Sequence, residues 1–144
     1  MRQSGLAKKG SYNLFMPSTA LDLPSDALKR YRPTEAIRRR KVERRAELAG
    51  RRRRATRIAH LAAETLRREF GASEIFVFGS LARHEGFTLW SDIDLAVRGI
   101  PPSRFFEAVG AVTGLSAEFK IDLIDLDSCT PAMRLSIETR GKAL

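Results

Sequence analysis

An apolar run, "EIFVF" at Glu74–Phe78, is broken by Gly79-Ser80 and followed after a short spacer by "SDIDLAV" at Ser91–Val97. No other stretch constrains the fold of this chain as strongly. The apolar run reads as a buried strand. The Gly-Ser pair ends it and opens a short helical turn over Ser80–His84, and a loop, Glu85–Ser91, leads to a second strand, Asp92–Val97. Side chains two residues apart on a strand share a face, so Asp92 and Asp94 converge while Ile93 and Leu95 point the other way. Two carboxylates held together repel each other. A divalent cation offsets that repulsion, and magnesium takes carboxylate oxygens together with substrate phosphates. Just upstream, a turn of small residues at a helix start presents backbone N–H groups to an anion. A phosphate site and a metal site separated by one short loop point to nucleotide chemistry.

The rest of the second half continues the alternation. "PPSRFFEAVGAVTGL" at Pro101–Leu115 predicts a helix with proline near its start. A strand over Phe119–Leu126 and a helix over Pro131–Arg140 follow, with Gly141 after the helix. Strands alternating with helices define an α/β layer fold. The segment before it differs. Residues 1–33 mix Gly, Ser, Asn and Pro and read as an irregular arm, with Ser25 able to cap a short turn at Pro24–Leu28. Residues 34–69 read as a basic helical extension, capped by Thr34, in which Gly50 allows a kink or two abutting helices. Ala55, Ile58, Ala59, Ala62, Leu66 and Phe70 recur at helical spacing, so the C-terminal half of this extension packs on the core. Ile37, Val42 and Leu48 are too sparse to form such a stripe. Residues 70–144 form the remaining domain.

Charge divides the chain in the same way. Residues 1–70 carry 19 Lys and Arg against 7 Asp and Glu, whereas residues 71–144 carry 7 against 10. The strongly basic half suits a polyanionic or acidic partner. The single cysteine, Cys129, excludes an internal disulfide and fits a structural role in a reducing compartment. No run approaches the ~18 apolar residues of a membrane span, and the N-terminus makes a poor signal peptide. A cytoplasmic location is the expectation.

With the preceding strand, the "GS" turn, the spacing and "SDIDL" together resemble the signature of the minimal nucleotidyltransferases of the DNA polymerase β superfamily. Within that group the chain is similar to the small MNT-domain antitoxins encoded beside HEPN-domain toxins. The resemblance runs from about Leu66 to Leu144. It implies a polymerase β-like nucleotidyltransferase fold, a small mixed sheet with flanking helices, here preceded by a long basic N-terminal helix. It implies that Asp92 and Asp94 hold magnesium, two ions in all, with a third acid on a later strand. "IDL" at Ile121–Leu123 aligns with the family's corresponding segment and offers Asp122, with Asp125 as the competitor on the opposite face. Gly79, Ser80 and Arg83 would meet the phosphates of ATP. The implied activity is transfer of AMP to a hydroxyl, typically a tyrosine, on the HEPN toxin. Two departures stand out. The family's Arg-Gly pair is here Arg83-His84, and the following loop carries the bulky Phe87, Leu89 and Trp90.

Other readings of the same residues remain open. Ser80 can act as a helix N-cap, Arg83 as a surface arginine, His84 as a loop residue and Trp90 as a packing residue. Arg38–Lys41 and Arg51–Arg54 can be a solvated helix face or a docking surface for RNA or an acidic protein. Transfer to RNA or to a small molecule, and a non-catalytic binding module that occludes its partner, are the rival functions.

Overall fold

The computed structural model describes residues 33–83 and 85–144. The expected arm over residues 1–33, apart from Pro33, lies outside the described residues, as do the turn at Pro24–Leu28 and His84. Helix α1 (Pro33–Phe70) runs for 38 residues. It therefore starts one residue before Thr34, with proline in the first turn, where its fixed φ suits a helix and its missing N–H costs nothing. Gly50 does not interrupt it. The surrounding Ala, Arg, Glu and Leu outweigh the ~1 kcal/mol that one interior glycine costs. Ala55, Ala59, Ala62, Ala63, Leu66 and Phe70 are buried, and Ile58 packs at the edge of the same cluster. Val42, by contrast, is exposed.

Four strands follow: β1 (Glu74–Phe78), β2 (Ile93–Arg98), β3 (Ile121–Asp125) and β4 (Lys142–Ala143). They form one mixed sheet in the order β3-β2-β1-β4. Strand β1 pairs antiparallel with β2 and β4, while β2 and β3 run parallel. A parallel pair needs a crossover, and α3 (Pro102–Thr113) supplies it. Helix α2 (Gly79–Ala82) lies between β1 and β2, and α4 (Pro131–Arg140) between β3 and β4. Thr130 caps α4, its Oγ1 accepting the Met133 N–H at 3.3 Å, with Pro131 as the first helical residue. Strand β4 carries no alternating signal of its own. It exists through its pairing with Phe76 and Val77 of β1.

The strand period sorts the core into two faces. Ile75 and Val77 of β1, Ile93, Leu95 and Val97 of β2, and Ile121 and Leu123 of β3 join the buried residues of α1 and α3. Phe76, Phe78, Ala96 and Ile124 point to the other face, where Leu126, just after β3, and Ile137 of α4 cover them. Asp94 and Asp122 share the parity of this second, thinner face. The expected α/β class, a small mixed sheet with flanking helices behind a long basic helix, is what the chain forms. Residues 40–144 make up one compact unit, and the site lies within it.

Candidate functional site

The parallel register of β2 and β3 sets Asp94 directly beside Asp122. Registered neighbours on adjacent strands point to the same face. Asp92 stands just before β2, and the Ile93 N–H donates to the Lys120 carbonyl at 3.0 Å, which ties the two strand starts together. Asp94 is half-buried. Burial first, and then the charges of Asp122 and Asp92, raise its pKa above the usual carboxylate range, with Lys120 opposing. The three acids thus share one electrostatic environment. Asp125 does not join them. It lies opposite Val97, its Oδ1 accepts the Asp127 N–H at 3.0 Å, and its Oδ2 accepts the Ser128 hydroxyl at 2.6 Å. Its carboxylate organises the turn that leaves β3.

The Gly-Ser turn abuts the acids. Gly79 has a φ of 66°, and a Cβ there would fall 2.2 Å from Asp94 Oδ2. Only glycine allows this combination of a left-handed backbone and close approach. Ser80 lies inside α2, and the N-cap position is Phe78 without a side-chain cap bond, so Ser80 is not a capping residue. Its hydroxyl has no protein partner among the described residues. Arg83, at the C-terminal end of α2, donates from Nε to the Gly79 carbonyl at 3.2 Å.

Trp90 departs from the packing role expected of it. It is 89 % exposed, while Phe87 takes the buried position in the same loop. The turn that holds Trp90 out is defined, with the Thr88 N–H donating to Ser91 Oγ at 2.9 Å and the Trp90 N–H to Thr88 Oγ1 at 3.2 Å. Cys129 is partly buried, its thiol donating to the Leu126 carbonyl at 3.3 Å.

Two groups around the site differ from the sequence reading: one was not singled out, and one has a different role. The first is Lys120, whose ammonium pairs with Asp122 Oδ2 at 2.7 Å. That hydrogen bond, and the attraction of Asp122, Asp92 and Asp94, hold the Lys120 pKa above its ordinary value. The second is the Arg51–Arg54 run, which is more than a solvated face. Arg51 donates to the Ser91 carbonyl and to Glu118, both at 3.3 Å, and stacks over Phe119 at 4.3 Å. Arg52 donates to the carbonyls of Leu81 at 3.2 Å and Arg83 at 2.5 Å. Arg54 forks onto Glu118 with contacts of 2.8 and 3.0 Å. Two consecutive arginines therefore brace both arms of the site, the end of α2 and the residue before Asp92. A charge run carries no periodic signal that would separate such anchors from solvated neighbours, so only the backbone carbonyls they meet identify them.

The donor set here is oxygen only, and its mutual repulsion is countered by one lysine. That chemistry suits a hard divalent cation. Among the described residues, no three His, Cys, Asp or Glu side chains stand close enough to form a ready-made metal cage. Asp92, Asp94 and Asp122 are the residues that would hold such a cation.

Residues 61–131 match the family model described as a nucleotidyltransferase domain. Among solved structures, the chain is similar to the toxin–antitoxin MntA–HepT (22% identity, 61% of this chain and 69% of that one, TM-score 0.47). It is also similar to a toxin–antitoxin with AMP-PNP (24%, 57% and 68%, TM-score 0.47). A third is a tri-AMPylated HEPN toxin of Shewanella oneidensis in complex with its MNT antitoxin (22%, 62% and 70%, TM-score 0.47). No curated protein matches the chain. No described helix is long and apolar enough to cross a membrane.

Proposed function

We propose that this chain transfers AMP from ATP to a hydroxyl on a partner protein, a HEPN-type toxin, and acts as its antitoxin. The observation that supports the reaction is the registered pair Asp94 and Asp122, with Asp92 adjacent and Gly79 pressed against Asp94. The acceptor class rests on the resemblance of "GS…SDIDL" to the MNT antitoxins. In this reading residues 70–144 are the catalytic part, and residues 34–69 are a basic extension whose C-terminal half packs on it.

Asp92, Asp94 and Asp122 would hold two magnesium ions, which when bound neutralise charge on the phosphate oxygens. The chain's own residues position the reactants, which is most of what such a transfer requires. Gly79 admits the triphosphate close to the backbone, and Ser80 donates its free hydroxyl to a phosphate oxygen. Arg83 offsets negative charge on the leaving phosphates. The acceptor oxygen bonds to the α-phosphorus, the bond from that phosphorus to the bridging β-phosphate oxygen breaks, and pyrophosphate leaves with the electron pair. Asp122, next to Asp94, accepts the hydroxyl proton. An RNA acceptor gains little support, because Arg51, Arg52 and Arg54 are engaged within the chain.

Intact-mass spectrometry of the co-expressed genomic-neighbour protein, with ATP and magnesium, tests the proposal. The neighbour should gain whole AMP units with the wild type and none with Asp92→Asn/Asp94→Asn. Protection of cells by the double variant would instead favour occlusion without catalysis.

A further inference from the structure

A cavity of about 180 Å³ opens where the end of α4 meets the Gly-Ser turn, lined by Phe78, Gly79, Arg83, Ser136, Ile137, Arg140 and Gly141. Its polar side chains are two guanidinium groups and one hydroxyl, with no carboxylate among them. Arg98, Arg104 and Arg134 each have carboxylate or carbonyl partners. Arg140 has none among the described residues, and neither does the Ser136 hydroxyl. The end of α4 is nevertheless held firmly. A Cβ at Gly141 would lie 2.5 Å from the Ile137 carbonyl oxygen and 3.2 Å from that of Val77, so the chain passes β1 with no spare room. The Gly141 N–H donates to the Ile137 carbonyl at 2.7 Å, and the Leu144 N–H to the Ile75 carbonyl at 3.0 Å. Arg140 is thus an unneutralised cation on an anchored helix end, facing Arg83 across a small cavity. Gly79 belongs both to this cavity and to the contact with Asp94.

We infer that Arg140 and Ser136 of α4, with Arg83, form the subsite for the terminal phosphates of the nucleoside triphosphate. The inference rests on the nucleotidyltransferase reading. It adds a residue from the far end of the chain as a binding and specificity determinant. A cavity walled by two cations and a hydroxyl selects a small polyanion. The shared Gly79 wall puts that polyanion beside the acids, where the phosphates released by the reaction would lie. Arg140 then distinguishes a nucleoside triphosphate from the monophosphate.

Isothermal titration calorimetry on the full chain tests this, with ATP, inorganic tripolyphosphate and AMP titrated separately. Arg140→Ala should weaken ATP and tripolyphosphate by about 10- to 100-fold, the range of a charge-assisted contact, and leave AMP unchanged. Arg140→Lys should recover most of the lost affinity, which a purely structural role would not require. Wild-type affinity for ATP and tripolyphosphate in Arg140→Ala, alongside their loss in Arg83→Ala, would overturn the inference and leave the proposed reaction standing. Failure of the wild type to bind either ligand would overturn both.

Discussion

Gly79 and Asp94 stand so close that a single added methyl group at Gly79 would lie 2.2 Å from the Asp94 carboxylate oxygen. The glycine also has a left-handed φ of 66°. Gly79→Ala therefore meets two penalties, about 1–2 kcal/mol of backbone strain and a displaced acid. We expect a stability loss of roughly 2 kcal/mol in chemical denaturation, and AMP transfer reduced about 100-fold or more. Full activity in Gly79→Ala would mean that the turn and the acid do not act together.

The two candidates for the third acid occupy different settings, and substitution should separate them. Asp122→Asn should lower transfer by about 100-fold with little change in stability, because it removes a charge from a repelling group. Asp125→Asn should leave transfer near wild type. It weakens the bonds to the Asp127 N–H and Ser128 hydroxyl, at a cost of about 1 kcal/mol. Steady-state kinetics and thermal melts on both variants check the pair.

Asp94 makes a pH prediction. Its pKa is raised, chiefly by burial and then by Asp122 and Asp92, so the folded chain binds a proton there more tightly than the unfolded chain. Stability from this group falls as pH rises from the ordinary carboxylate value through the raised one. In metal-free buffer at neutral pH, Asp94→Asn should melt higher than wild type. The difference should shrink on acidification and vanish well below the ordinary aspartate value of about 4, where the wild-type carboxyl is protonated in both folded and unfolded chains. A lower melting temperature for Asp94→Asn at pH 7 would contradict the repulsion.

Glu118 behaves in the opposite sense. The hydrogen bond from Arg54, followed by the charges of Arg54 and Arg51, holds its carboxyl below the usual range. Its contribution is present above the unfolded pKa and is lost as pH falls through the folded value. Melting temperatures of wild type and Glu118→Gln should converge on acidification below about pH 4. They should also converge in high salt, since the pair is exposed.

Arg52 bridges the helix and the site by donating to the carbonyls of Leu81 and Arg83. Arg52→Met retains much of the aliphatic stem but frees the end of α2. A fall of about 10-fold in kcat/KM for ATP, with the fold retained by circular dichroism, is the expected result. An unchanged kcat/KM would show that α2 needs no such brace.

Much of the C-terminal half was legible in the sequence because its signals are local. The run Ile75–Phe78 and the alternation Asp92–Val97 have the strand period, and Gly79-Ser80 marks the break between them. Asp92 and Asp94 share a face by parity alone. The buried stripe of α1 from Ala55 to Phe70 follows from helical spacing in the same way. What the tertiary structure decided is non-local. The pairing of β2 with β3 determines which carboxylate stands beside Asp94, and register depends on packing across strands distant in sequence. Strand β4 has two residues and no pattern, and exists only because β1 offers it an edge. The exposure of Trp90, the bracing by Arg51 and Arg52 and the pairing of Lys120 with Asp122 likewise depend on which groups the fold brings near. A one-dimensional pattern records the period of each segment. The partners that each segment meets are set when the hydrophobic faces close on one another.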